Sequence, residues 1–98
     1  MYIAHFEDHP AAHHIRRAHQ AAHDAYLAAN TTMIAGEGAR FSDDLGRPVG
    51  AMWLINTTDR AEALKLCHGD PFWIHGLRKD VTLVAWSPTP YDLRVAHA

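Results

Sequence analysis

Residues 49–57 read VGAMWLINT, and they carry the strongest indication of the fold. Side chains alternate between the two faces of a β-strand. One face would carry Val49, Ala51, Trp53 and Ile55, and the other Gly50, Met52, Leu54 and Asn56. Both faces are largely apolar, whereas a strand with one face open to water alternates with polar residues. The stretch therefore predicts a strand in a sheet that is covered on both sides.

The segments on either side complete a β-α-β-β-α-β order. Strands are predicted at residues 2–6, 32–39, 49–57 and 81–86, helices at 11–29 and 60–67, and a short turn or helix at 71–75. With right-handed crossovers, this order places both helices on one face of a four-stranded antiparallel sheet. The predicted class is α+β, with a ferredoxin-like fold.

Two helices cover only one face of such a sheet, so the second apolar face needs another cover. The simplest cover is a second copy of the chain, packed sheet to sheet, which predicts a homodimer. The alternative is that this face lines a ligand cleft.

Local signals place the ends of the helices. Asp8 is predicted to cap the first helix, with Pro10 in its first turn. Asp59, followed by Glu62, resembles a capping box for the second helix, and Gly69 is predicted to close that helix in the left-handed conformation. The predicted core stripe of the first helix is Ile15, His19, Ala22 and Tyr26, and the predicted solvated positions include Arg16 and His23.

The size and composition indicate one domain over residues 1–98, with a core at 2–86 and a tail at 87–98. The formal net charge is -2 without a basic stripe, which argues against nucleic acid as a partner. No apolar run approaches the ~20 residues of a membrane span. Cys67 is the one cysteine, so no intramolecular disulfide is possible, and a buried, unreactive thiol in a cytoplasmic protein is expected.

Histidine is the unusual residue, with nine copies, five of them at positions 9, 13, 14, 19 and 23. The pairs His9/His13 and His19/His23 have the i, i+4 spacing that can chelate zinc, but no third ligand or HExxH motif accompanies them. Gly36-x-Gly38 lacks the strand-to-helix context of a dinucleotide site. We therefore expect neither a functional metal nor a cofactor.

His19 and Asp70 are the candidate catalytic residues. A histidine in an apolar stripe needs a hydrogen-bond partner, and the Gly69-Asp70-Pro71 turn can present a carboxylate. Such a pair fixes the imidazole tautomer and leaves one nitrogen free for proton transfer. Alternatively, His19 is a satisfied core histidine and Asp70 only caps the following turn.

Three further residues are candidates for substrate binding. Phe72 and Trp73 lie beside Asp70, where they either wall a pocket for a planar ligand or belong to the core. Arg16 sits about a quarter turn from His19 and either reaches an anionic substrate or is a surface charge.

Four short motifs resemble the YCII-related family over Tyr2 to Trp86. They are Arg16-Arg17-Ala18-His19, Ile34-Ala35-Gly36, Asp59-Arg60-Ala61-Glu62-Ala63 and Gly69-Asp70-Pro71-Phe72. The resemblance implies a dimeric α+β barrel and a His–Asp site, here His19 and Asp70. Most members of the family have no established reaction, although one relative removes chloride from a hydroxylated aromatic ring. The extra histidines and the tail depart from the family pattern.

Two functions remain open at this point. The first is a cofactor-free small-molecule enzyme whose His–Asp pair performs acid–base chemistry in an isomerisation, elimination or dehalogenation. The second is a small-ligand binding or accessory module without catalysis. A free imidazole nitrogen beside a cavity would favour the enzyme.

Overall fold

The computed structural model describes residues 1–42 and 46–87. In chain order the elements are β1 (Tyr2–Asp8), α1 (His13–Ala29), β2 (Ile34–Phe41), β3 (Pro48–Ile55), α2 (Arg60–His68), α3 (Pro71–Ile74) and β4 (Arg78–Ala85). Most of the predicted 87–98 tail, from Pro88 onward, lies outside the described residues.

The four strands form one antiparallel sheet in the order β2-β3-β1-β4. This is the ferredoxin-like α+β arrangement that the sequence predicts. β1 lies in the middle, with Ala4 opposite Trp53 of β3 on one side and Leu83 of β4 on the other. No helix in the described part of the chain has the length and apolar character needed to cross a membrane.

The core lies between the sheet and the helices. The alternation predicted for β3 is confirmed, and the face that points to the helices is the one with Ala51, Trp53 and Ile55, which are all buried. The Phe6 and Trp53 rings meet edge to face at 4.7 Å. Cys67 of α2 is fully buried, as predicted, and burial together with the nearby Asp70 raises its pKa to about 12. The thiol is therefore protonated and inert at neutral pH.

The ends of the helices are partly as predicted. The Asp59 side chain accepts hydrogen bonds from Ala61 N and Glu62 N, so this cap is confirmed. The cap assigned to Asp8 is wrong, because α1 begins at His13 after Ala12 and has no side-chain cap. The Asp8 carboxylate instead binds Arg16 and Arg78.

Gly69 does not adopt the left-handed conformation, since its φ is -82°. Its lack of a side chain has another use: a Cβ here would lie 2.5 Å from the hydroxyl oxygen of Tyr26. That hydroxyl donates a 2.6 Å hydrogen bond to the Leu66 carbonyl and ties α1 to α2. Gly69 thus permits a close approach between the helices.

Candidate acid–base site

The face that α1 turns inward differs from the predicted stripe. Ile15 and Tyr26 pack against the core as expected, but Ala22 is exposed, and the buried residue of the helix is His23. The prediction that Arg16 and His23 are solvated is wrong. The reason lies in composition, because α1 is so rich in alanine that several of its faces look equally apolar. The hydrogen bonds of His23 and Tyr26 to other segments fix which face points inward.

His23 is the histidine that binds Asp70. Its Nδ1 lies 2.7 Å from Asp70 Oδ1, with 7% of the histidine side chain and none of the aspartate side chain exposed. The expected bond from His19 to Asp70 is therefore wrong by one helical turn. His19 stacks instead on His75, at 3.6 Å between parallel rings.

Asp70 is held by its position at the start of α3. The same Oδ1 accepts a 3.1 Å hydrogen bond from Phe72 N, so Asp70 caps α3 as well as binding His23. Its Oδ2 faces Arg78 Nε at 3.6 Å, which is too long for a good hydrogen bond. With Asp70 as a carboxylate, which only accepts hydrogen bonds, Nδ1 of His23 is the donor.

The second nitrogen of His23 is free among the described residues. Nε2 makes no hydrogen bond to them, because the bond of this ring runs from Nδ1 to Asp70. Phe72 stacks on the ring at 4.0 Å and fixes its plane. The site thus holds one oriented imidazole whose Nε2 is not bonded by the described residues and is able to accept or donate a proton.

Neutral groups border Asp70 on the α2 side. Burial, Asp70 and Cys67 together raise the pKa of the Tyr26 phenol. The Cys67 thiol also stays protonated at neutral pH, so neither group brings a negative charge to Asp70. The charged side chain that faces the Asp70 carboxylate is Arg78.

The three predicted substrate-binding residues have different positions. Phe72 is fully buried against His23, and Trp73 packs partly buried on the core and on His68. Arg16 binds Asp8 and lies over the Phe72 ring, 5.2 Å from its centre. Their roles in substrate binding stay predictions.

Four of the surface cavities formed by the described residues do not have the pair in their walls. One of about 300 Å³ adjoins Asp8 and His13, and another of about 310 Å³ adjoins Tyr26 and Gly69. The other two lie near Trp86. None of the four is lined by His23, Asp70, Phe72 or Trp73, so the predicted pocket beside the pair is not among them. No cluster of three or more metal-ligating side chains occurs in the described ranges.

Comparison with known proteins gives a family and a fold. The family model for the YCII-related domain matches residues 1–87. A similar solved structure is 5-chloro-2-hydroxyhydroquinone dehydrochlorinase from Burkholderia phenoliruptrix, in complex with 2,5-dihydroxybenzoquinone. The two chains superpose with a TM-score of 0.77 at 23% identity, over 89% of this chain and 94% of the other. At this identity the likeness supports the fold. No curated protein sequence matches the chain.

Proposed function

The chain belongs to the YCII-related family, and from that premise we propose that it is a small-molecule enzyme whose His23–Asp70 pair transfers protons. The observation that carries this proposal is the buried 2.7 Å contact between Nδ1 and Asp70, combined with an Nε2 that makes no hydrogen bond to the described residues. A purely structural histidine would have both nitrogens bonded. Here one nitrogen is bonded and the other is available.

The reaction class we propose is elimination of the dehalogenating type. In such a step Nε2 takes a proton from the substrate, and the electron pair left behind forms the new double bond. Chloride leaves with the electrons of the C–Cl bond. The similar solved structure, a dehydrochlorinase seen with a quinone, makes chlorinated, hydroxylated aromatic rings the first substrates to try.

The test is chloride release from a panel of such rings. His23→Gln should lower the rate about 10²–10⁴-fold, which is the usual contribution of a general acid or base. His19→Gln is the matched control, since His19 lies one turn away on α1 and stacks on His75 instead of binding Asp70. Equal rates for the two variants would contradict the proposal.

A binding or accessory module is the second candidate function. It is favoured by one observation: only 7% of the His23 side chain and none of the Asp70 side chain is exposed, as in a structural hydrogen bond. Calorimetry with 2,5-dihydroxybenzoquinone separates the two. Tight binding of this quinone, lost in His23→Gln, together with no turnover of any panel member would favour the module.

We also propose that the protein works as a homodimer. The support is the exposed apolar side chains on the sheet face that the helices leave open, among them Met52 and Val84.

A further inference from the structure

Arg78 joins the His23–Asp70 pair to a larger buried charge cluster. It is the first residue of β4, and 1% of its side chain is exposed. Its Nη1 donates a 2.8 Å hydrogen bond to Asp8 Oδ1, and its guanidinium carbon lies 4.9 Å from the Phe6 ring centre and 5.1 Å from that of Phe72. Two carboxylates and two aromatic rings therefore surround one guanidinium that water hardly reaches.

The charges of this cluster cancel only when His23 is neutral. Asp8 and Asp70 supply two negative charges, and Arg16 and Arg78 supply two positive ones. Proton uptake by His23 would leave a net positive charge in a buried region, which is unfavourable. Loss of Arg78 would reverse the balance, because the remaining net negative charge would be neutralised by an imidazolium at His23.

The two carboxylate oxygens of Asp70 have different partners. His23 and the Phe72 amide use Oδ1, whereas Arg78 Nε lies 3.6 Å from Oδ2. Both Arg78 Nε and Asp70 Oδ2 lack a hydrogen-bond partner in the described part of the chain. Arg78 thus balances the charge of Asp70 without competing for the oxygen that orients the histidine.

We propose that Arg78 is a positioning residue that keeps His23 neutral, with its proton on Nδ1 and Nε2 ready to accept another. The inference rests on the proposed function and deepens it. Arg78 need not touch the substrate, since it acts through Asp70.

The experiment is ¹⁵N NMR of the protein labelled at histidine, near neutral pH. In the native protein, His23 should give the pattern of the neutral Nδ1–H tautomer, with Nε2 at the position of a bare imine nitrogen. In Arg78→Met, Nε2 should move upfield to the imidazolium position. Arg78→Lys keeps the charge and should leave His23 neutral.

Arg40→Met is the matched control. Arg40 also binds a carboxylate of β1, that of Glu7, but it does not contact Asp70. This variant should leave the His23 resonances unchanged. A neutral His23 in Arg78→Met, or the same upfield shift in Arg40→Met, would overturn the proposal.

Should Arg78→Met fail to fold, the double variant Asp70→Asn with Arg78→Met decides. It removes one charge of each sign, so it should fold and show a neutral His23. If it also fails to fold, Arg78 serves the packing around Asp8 and Phe6, and the proposal is wrong. Turnover enters none of these readouts, so the role of Arg78 stands or falls separately from catalysis by His23.

Discussion

The two faces of the sheet are built from the same strands but have opposite exposure. On β3, Trp53 is 1% exposed under the helices, and its neighbour Met52 is 44% exposed on the other side. On β4, Val84 of the open face is 51% exposed, whereas Phe6 of β1 on the covered face is fully buried. Apolar composition alone therefore does not say which face the chain covers for itself. The helices decide it.

The two faces also differ in the residues that could carry a function. The covered face holds the core and, at its edge, the buried cluster of Asp8, Arg78, Asp70 and His23. The open face is apolar around Ile3, Met52 and Leu54, which line a shallow cavity with Trp86. We read the first as the side for chemistry and the second as the side for assembly.

The largest expected difference between the two faces is the loss of stability on substituting Trp53. Trp53→Ala should lower the free energy of unfolding by about 3–5 kcal/mol, as large-to-small changes in cores do. Trp53→Phe should cost much less, because it keeps a ring and removes a buried indole N–H that has no partner among the described residues. Urea unfolding measures both. Met52→Ala is the comparison on the open face, and a loss as large as that of Trp53→Ala would mean that the two faces are equally covered in solution.

The next effect concerns assembly. The native protein should have the mass of a dimer by light scattering at micromolar concentration, and Met52→Asp should have the mass of a monomer. A carboxylate buried without a partner in the dimer would cost several kcal/mol. Lys79→Asp adds the same negative group at an exposed position of β4 and serves as the control. A native monomer would refute the sheet-to-sheet dimer.

The smallest expected effect is a loss of stability at alkaline pH, caused by the buried Cys67 thiol on the covered face. The pKa of Cys67 is raised to about 12 in the folded protein from an ordinary value of 9.0. The folded state thus holds this proton more tightly, so its contribution to stability is complete below pH 9 and is lost as the pH rises toward 12. The slope approaches about 1.4 kcal/mol per pH unit for one proton.

Urea unfolding at pH 8, 9, 10 and 11 checks this expectation. Cys67→Ala should flatten the decline above pH 9, and the remaining decline should include Tyr26, whose pKa is also raised. An unchanged slope in Cys67→Ala would show that the thiol is not the group responsible.

Sequence patterns were reliable where a residue type has one strong local preference. The alternation in residues 49–57 placed Ala51, Trp53 and Ile55 on one face, and in the structure that face is buried. Asp59 caps α2 as its spacing to Glu62 predicts. Asp70 likewise caps α3 by accepting from Phe72 N. These interactions join residues that are close in the chain, so a short stretch of sequence contains both partners.

The misplaced histidine shows where such patterns fail. On an alanine-rich helix, a stripe through His19 and one through His23 are both plausible, because alanine marks no face strongly. What distinguishes them is the position of Asp70, which is 47 residues from His23 along the chain. The hydrogen bond from Tyr26 to Leu66 fixes the same helix rotation.

Local residue patterns were sufficient for the order of elements, the ferredoxin-like α+β class, the YCII-related resemblance and the aspartate of the candidate site. Only the tertiary structure decided which histidine meets that aspartate and that Arg78 stands beside it. The physical reason is range: strand alternation and helix capping are set by near neighbours in the chain. The rotation of α1, by contrast, is set by buried polar bonds between segments that only the folded chain brings together.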